Sequence, residues 1–194
     1  MRQRLPGIPA SLANSSGIFL GADFRHDLVR PGIALYGGNP IAPGANPMLP
    51  VAHLEGTVLQ VREIQAGESV GYGATWRATR QTRIAVLGAG YKDGVPRSLS
   101  SRATNGPAQA WIDGRRCPVI GRVSMDMMAV DVTEVPVGRC QRGTRAELIG
   151  RNIAIDETAE WAGTISYELL TRLGQRFTRL YSGGESNLSR APQS

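Results

Sequence analysis

Two residues near the N-terminus are of the types that hold a phosphorylated ring compound. Ser15 offers a hydroxyl among small residues, in Ala13-Asn14-Ser15-Ser16-Gly17, whose backbone amides can approach an anion. Arg30 follows fifteen residues later, directly before Pro31-Gly32-Ile33, and its guanidinium can reach a ring attached to that anion. The pair therefore predicts part of an enzyme's cofactor site.

Three further candidate residues lie where predicted strands or helices begin or end. Tyr91 follows the apolar run 84–87, and its phenol can transfer a proton if nearby cations lower its pKa from about 10. Met125, between two strand-like runs, offers a backbone amide at a pocket rim or is simply a core methionine. Tyr167, at a predicted helix start, either directs its hydroxyl at an anion or is a buried aromatic residue.

The composition indicates a soluble globular protein, with 194 residues of which 41% are hydrophobic and 20% charged. No apolar run approaches the roughly 20 residues of a membrane span, and Met1-Arg2-Gln3-Arg4 is followed by prolines rather than by an apolar signal core. We therefore predict a cytoplasmic protein without membrane contact. The cysteines Cys117 and Cys140 are predicted to be reduced rather than disulfide-bonded, and neither they nor the histidines suggest a metal site.

The net charge of +6 does not by itself indicate a nucleic-acid partner. The arginines are scattered among acidic residues and no block of five or six like charges occurs. Lys92 is the only lysine among the 22 basic residues. We interpret the charge as an arginine-biased surface and predict no nucleic-acid binding.

Changes in composition and hydrophobic pattern along the chain predict two structural parts and a tail. Residues 1–46 are expected to be the end of an α/β unit with its linker, in which 28–36 is a loop that leads into a buried strand. The region 47–184 is rich in short Val and Ile runs and is predicted to be mainly β. Residues 185–194 are small and polar and are predicted to be a disordered tail.

Within the β-rich region the pattern predicts strands, one clear hairpin and two short helices. The strands are expected at about 51–64, 82–89, 108–112, 117–123, 126–132 and 145–149, with a last strand at 177–181. Asp113-Gly114 is the strongest hairpin signal. Asp156 is predicted to cap a helix through Ala162, and Thr164 or Ser166 to cap another that reaches Leu173 and ends at Gly174.

Six short motifs, taken in order, make the chain resemble alanine racemase, the fold-type III family that binds pyridoxal 5'-phosphate. The motifs are Asn14-Ser15, Arg30-Pro31-Gly32-Ile33-Ala34-Leu35-Tyr36-Gly37, Tyr72-Gly73-Ala74-Thr75, Gly90-Tyr91-Lys92-Asp93-Gly94, Gly121-Arg122-Val123-Ser124-Met125-Asp126 and Ile165-Ser166-Tyr167-Glu168. The resemblance extends from about Leu5 to Tyr181. It implies the last half of the family's polypeptide: the C-terminal remnant of a (β/α)8 barrel, followed by a mainly β, barrel-like domain with short helices.

The resemblance also assigns expected roles. Ser15, Gly32 and Ile33 would contact the cofactor phosphate together with the hydroxyl of Tyr167, as in other phosphate sites at the C-terminal face of such barrels. Arg30 would meet the pyridine nitrogen and, because a guanidinium only donates, keep that nitrogen unprotonated.

For the substrate, the resemblance makes Tyr91 one of two acid/base groups, one for each face of the α-carbon. Met125 would contribute a backbone contact to the substrate carboxylate. Both would reach the site of a partner subunit in a homodimer.

Departures from the family pattern set further expectations. The family's Schiff-base lysine and its carboxylate-binding arginine lie in the barrel half that this sequence lacks, and Lys92 lies on the wrong domain to replace the lysine. Ser11 stands where the family usually has a histidine, three residues before the asparagine. The isolated chain is therefore expected to be inactive, whether it comes from a truncated gene, a fragment or a misplaced start.

Several functions stay open at this point. The resemblance favours interconversion of L- and D-alanine for peptidoglycan supply. A racemase of the same fold for serine, lysine or a broader range of amino acids is an alternative. So is a non-catalytic module that dimerises with, or modulates, a full-length racemase; a nucleic-acid-binding β domain is a poorer third.

Overall fold

A closed antiparallel barrel of six strands forms the centre of the molecule. The structure, a computed structural model, describes residues 7–100 and 106–183. Its strands are β1 (Leu54–Ile64), β2 (Ser69–Val70), β3 (Trp76–Arg77), β4 (Thr82–Leu87), β5 (Gln109–Ile112), β6 (Arg115–Ile120), β7 (Met128–Asp131) and β8 (Arg145–Ile149). The barrel order is β1-β4-β7-β6-β5-β8, while β2 and β3 form a separate two-stranded sheet. The predicted mainly β, barrel-like fold is confirmed.

Alternation of apolar residues explains why these strands close on themselves. In β5 and β7 every second side chain is buried, which places one face of the sheet in the barrel interior. The long strand β1 pairs with β8 through its first half and with β4 through its second, with a register shift between Val58 and Gln60. The predicted hairpin at Asp113-Gly114 is confirmed: both residues have positive φ, at 43° and 81°, and Ile112 pairs with Arg115.

The main core lies inside the barrel and continues onto two helices at its end. Helix α3 (Ile155–Ala162) buries Trp161 and helix α4 (Ser166–Arg172) buries Leu169 against the barrel residues. Cys117 and Cys140 belong to this core and are free thiols, as predicted. Burial raises the pKa of Cys117 to about 12, assisted by the neighbouring Cys140.

The six barrel strands lie within three residues of their predicted bounds, but the expected strand at 177–181 is wrong. This segment has no strand partner and instead lines a cleft beside α4. The predicted tail at 185–194 lies outside the described residues. Within the described ranges, no helix has the length and apolarity needed to cross a membrane.

The N-terminal segment wraps against this barrel domain without a sheet of its own. It contains α1 (Ser15–Ile18), α2 (Ala22–Arg25) and a 3-10 helix (Ile33–Tyr36), with one isolated parallel bridge between Ser11 and Leu28. The predicted strand after residue 28 is therefore wrong. A strand needs a neighbour to bond its backbone, and the only such bridge among the described residues of this segment is at Leu28.

Both helices of the β-rich region are confirmed, but their predicted caps are wrong. The residue before α3 is Ala154 and the residue before α4 is Ile165, and neither makes a side-chain cap. The predicted capping side chains bind other partners. Asp156 accepts hydrogen bonds from the N-terminal segment, the Thr164 hydroxyl donates to Glu168, and the Ser166 hydroxyl donates to Asp156.

Candidate functional site

Ser15 lies at the centre of a small group of hydrogen-bonding atoms. It is the first residue of α1 and is only 1% exposed, and Asn14 caps this turn by accepting the Gly17 N–H at 3.0 Å. The Ser15 Oγ accepts hydrogen bonds from the backbone N–H groups of Gly32 at 2.8 Å and Ala34 at 3.3 Å. Ser15 is thereby fixed against the start of the 3-10 helix, and we call this group, Ser15 with the N–H groups of 32–34, the Ser15 cradle.

The Ser15 cradle still has donors for an anion. The hydroxyl oxygen accepts two N–H groups and keeps its own proton to donate. Ile33 lies between Gly32 and Ala34, and its N–H has no hydrogen-bond partner within residues 7–100 and 106–183. A hydroxyl and an amide at the first turn of a helix suit the oxygens of a phosphate monoester. The structure thus fits the predicted phosphate contacts of Ser15 and Ile33, while the Gly32 N–H already binds Ser15.

Arg30 is held beside the cradle by the preceding loop. Its backbone N–H donates to the Ala13 carbonyl at 2.8 Å, and its guanidinium donates to Ser11 Oγ at 2.5 Å and to the Leu12 carbonyl at 3.3 Å. Ser11 is the residue that stands where the family usually has a histidine. The substitution therefore leaves Arg30 with a direct side-chain partner.

An open cleft of about 670 Å³ joins the cradle to α4. Gly32, Ile33 and Tyr167 all line it, so the structure brings together three of the residues predicted to contact the phosphate. Tyr167 is 45% exposed, which rules out the alternative that it is a buried aromatic residue. The neighbouring Glu168 does not contribute to the phosphate contacts, because its carboxylate binds Thr164 and Arg172. These two contacts lower the pKa of Glu168.

Tyr91 and Met125 form a second group, in which their two turns are joined by backbone hydrogen bonds. Tyr91 N–H donates to the Ser124 carbonyl and Lys92 N–H to the Met125 carbonyl, each at 3.0 Å. The two side chains are 42% and 48% exposed. Gly90 permits this approach, since a Cβ there would lie 2.3 Å from the Met125 carbonyl oxygen. In the described part of the chain the Met125 N–H has no acceptor and is available to a ligand.

The two groups are separate within one chain. Neither Tyr91 nor Met125 is among the residues that line the cleft shared by Gly32 and Tyr167. The structure thus pairs Tyr91 with Met125, and Ser15 with Gly32 and Ile33, but does not bring the two sets into one pocket of the same chain.

Sequence reasoning missed the charged residues that support the Tyr91 turn. Asp93 is 5% exposed, and its Oδ2 accepts the Gly90 N–H at 2.9 Å. Arg176 contacts Asp93 Oδ1 at 3.1 Å and Asp126 Oδ1 at 2.6 Å. The hydrogen bond to Asp126 and the two negative charges raise the pKa of Arg176. Asp93 was visible in the Tyr91 motif, but no local signal marked Arg176.

Asp156 was likewise missed as a contact between the linker and the helices. Its Oδ2 accepts the Asn39 N–H at 2.9 Å and Asn46 Nδ2 at 3.3 Å, and its Oδ1 accepts the Ser166 hydroxyl. Ser166 directly precedes Tyr167. Asp156 therefore ties the segment that follows the 3-10 helix to the helix that carries Tyr167.

Known proteins are similar to this chain in sequence and in fold. Residues 51–181 match the profile of the family described as "Alanine racemase, C-terminal domain", and residues 1–40 match "Alanine racemase, N-terminal domain". The chain belongs to the alanine racemase family. The resemblance inferred from the six motifs is confirmed.

Individual members of the alanine racemase family agree with this assignment. The alanine racemase of Methylobacterium sp. (strain 4-46) is 53% identical over 176 residues, which are 91% of this chain and 47% of the relative. A structure from Bartonella henselae, with covalently bound pyridoxal phosphate, has a TM-score of 0.81 at 41% identity and covers 93% of this chain and 48% of its own. The structure of the biosynthetic alanine racemase of Pseudomonas aeruginosa has a TM-score of 0.82 at 39% identity. The match covers 94% of this chain and 50% of the Pseudomonas chain. The chain thus spans about half the length of these alanine racemases.

Proposed function

We propose that the chain forms part of a pyridoxal-phosphate-dependent alanine racemase that interconverts L- and D-alanine. The observation that carries the proposal is the Ser15 cradle, in which a buried hydroxyl lies beside the Ile33 N–H, and Ile33 lines the same open cleft as Tyr167. The Bartonella henselae relative contains covalently bound pyridoxal phosphate, which supports this compound as the ligand of the Ser15 cradle.

Four residues would hold the cofactor. The Ser15 hydroxyl, the Ile33 N–H and the Tyr167 hydroxyl would donate to the phosphate, with Gly32 keeping Ser15 in place. Arg30 would face the ring nitrogen as a permanent donor, which leaves that nitrogen unprotonated. When bound, the cofactor withdraws electrons from the amino acid and makes its α-hydrogen acidic. Because Arg30 leaves the ring nitrogen unprotonated, the ring withdraws electrons less strongly. This moderate withdrawal suits reversible proton exchange.

Tyr91 would move the proton on one face of the amino acid. Its Oη accepts the proton from, or returns it to, the α-carbon, while the Met125 N–H holds the substrate carboxylate close to Tyr91. Racemisation needs an acid/base group on each face. The second group in this proposal is the family's lysine, which belongs to the barrel half and is not Lys92.

The separation of the two groups supports a site shared by two copies. Tyr91 and Met125 do not line their own chain's cleft, yet both are exposed and can enter a neighbour's. We therefore propose a homodimer in which each complete site combines Ser15, Arg30 and Tyr167 of one subunit with Tyr91 and Met125 of the other. We place the reaction in the cytoplasm, where it would supply D-alanine for peptidoglycan.

A chimera tests the proposal directly. In it, this chain replaces the matching 47% of the Methylobacterium racemase, and both directions of alanine racemisation are measured by chiral chromatography. We expect the chimera to bind pyridoxal phosphate and racemise alanine, and residues 1–194 alone to do neither. A folded, dimeric chimera without racemase activity, or activity of 1–194 alone, would contradict the assignment of roles.

A further inference from the structure

Arg176 connects two turns that are 33 residues apart in sequence, counted from Asp93 to Asp126. Its Nη1 contacts Asp126 Oδ1 at 2.6 Å, and its Nε contacts Asp93 Oδ1 at 3.1 Å. Asp93 lies in the 3-10 helix that begins with Tyr91, and Asp126 follows Met125 directly. One guanidinium therefore binds a carboxylate from each turn of the Tyr91 and Met125 group.

The ion pair with Asp93 should stabilise the turn more than an exposed ion pair would, because Asp93 is buried. The Asp93 side chain is only 7% exposed, whereas those of Arg176 and Asp126 are 46% and 49% exposed. Burying a carboxylate is costly unless charged or hydrogen-bonding partners compensate it. Asp93 has two, because one oxygen accepts the Gly90 N–H and the other faces Arg176.

The backbone near Arg176 holds the same turn from the other side. Gly174 N–H donates to the Asp93 carbonyl at 2.9 Å, and a Cβ on Gly94 would lie 2.3 Å from the Arg172 carbonyl oxygen. The segment 172–176 thus packs closely along the Tyr91 turn. Backbone contacts of the residues just before Arg176, as well as its charge, therefore hold this segment against the Tyr91 turn.

We propose that Arg176 is a positioning residue that fixes Tyr91 relative to Met125 by binding Asp93 and Asp126 together. The inference rests on the proposed function, in which Tyr91 moves the proton and Met125 holds the carboxylate. Arg176 touches neither substrate nor cofactor in this arrangement. It sets the distance between the phenol and the carboxylate-binding amide.

Amide hydrogen exchange on residues 1–194 tests the inference without cofactor or activity. The probes are the N–H groups of Tyr91 and Lys92, which bond the Ser124 and Met125 carbonyls, and barrel amides such as that of Val86 serve as an internal reference. In Arg176→Gln we expect exchange at Tyr91 and Lys92 to accelerate about tenfold or more, with the barrel amides unchanged.

Three comparison variants sharpen the result. Arg172→Gln removes an exposed arginine that pairs with Glu168 four residues away, and it should leave both probes within about twofold. Arg176→Lys keeps the charge but not the planar fork, so it should restore part of the protection. Asp126→Asn should give an intermediate acceleration.

Two outcomes would overturn the inference. In one, the Tyr91 and Lys92 amides keep their protection in Arg176→Gln; in the other, all amides accelerate equally, which would make Arg176 a contributor to global stability only. Because the measurement needs no racemisation, an inactive chimera would count against the proposed function and leave this result standing.

Discussion

The Asn39 N–H donates a 2.9 Å hydrogen bond to Asp156 across 117 residues of sequence. The same carboxylate accepts Asn46 Nδ2 and the Ser166 hydroxyl, so three donors from the linker and α4 converge on one side chain of α3. We expect this contact to set the distance between the Ser15 cradle and Tyr167, because Ile33 lies six residues before Asn39 and Tyr167 directly follows Ser166.

Asp156→Ala should destabilise the chain by about 1–3 kcal/mol, because it leaves two partly buried donors, the Asn39 N–H and the Ser166 hydroxyl, without their acceptor. The free energy of unfolding, from urea denaturation followed by circular dichroism, measures the loss. Glu157→Gln is the matched control, since Glu157 is adjacent on the same helix but pairs with the exposed Arg116. It should cost less than about 1 kcal/mol. Equal losses in the two variants would show that the Asp156 contact has no special weight.

Ser15→Ala should weaken both stability and phosphate binding. It removes the acceptor of the Gly32 and Ala34 N–H groups in a buried position, for which we expect a cost of about 1–3 kcal/mol in urea denaturation. In the chimera, the dissociation constant for pyridoxal phosphate should rise about tenfold. Ser16→Ala, at the exposed neighbouring position, is the control and should change neither quantity. Unchanged cofactor affinity in Ser15→Ala would remove Ser15 from the phosphate site.

Tyr91→Phe should slow proton exchange at one face of the substrate α-carbon in the chimera by at least about 100-fold, because it removes the only hydroxyl proposed to act on that face. The measurement is solvent deuterium incorporation into L- and D-alanine, which should become unequal. Tyr91 is 42% exposed, so the fold should lose less than about 0.5 kcal/mol. Tyr72→Phe, at a more exposed tyrosine, serves as the control. Equal and mild losses from both enantiomers would reduce Tyr91 to a packing residue.

The buried thiol of Cys117 predicts a loss of stability in alkaline solution. Burial raises its pKa from 9.0 to about 12 in the folded chain, so above about pH 9 the unfolded chain releases a proton that the folded chain keeps. Stability from this group is complete below about pH 9 and falls as the pH rises toward 12. Urea midpoints measured between about pH 8 and 10.5 should decline more steeply in the natural chain than in Cys117→Ala. Parallel declines would contradict the prediction.

The barrel could be predicted from the sequence because its signals are local. Alternation of buried and exposed residues in runs such as β5 and β7 needs only neighbouring residues to be recognised, and Asp113-Gly114 fixes its turn by its own backbone preferences. The candidate residues of the Ser15 cradle could also be singled out, since Asn14-Ser15 and the run from Arg30 to Gly37 occur in order with four other motifs of the family.

The supporting contacts could not be predicted because they depend on packing between distant segments. Nothing near Arg176 indicates that it will meet Asp93 and Asp126, and the capping preference of Asp156 is outweighed by donors from the linker. The run Ile33–Tyr36 has the composition of a strand, yet it forms a 3-10 helix, because no strand among the described residues bonds it and Ser15 binds the Gly32 and Ala34 N–H groups at its start. Its partners, and not its own residues, decide its conformation.

Closure of the six-stranded barrel restricts how this domain can recognise a second chain. Each barrel strand is already bonded on both sides, so none of them offers a free backbone edge to an incoming strand. Association through the barrel must therefore use side chains on its outer surface and at its ends. Related copies of such a domain in one cell can diverge in these side chains, and so avoid mixed pairs, without any change to the hydrogen bonding that holds the barrel together.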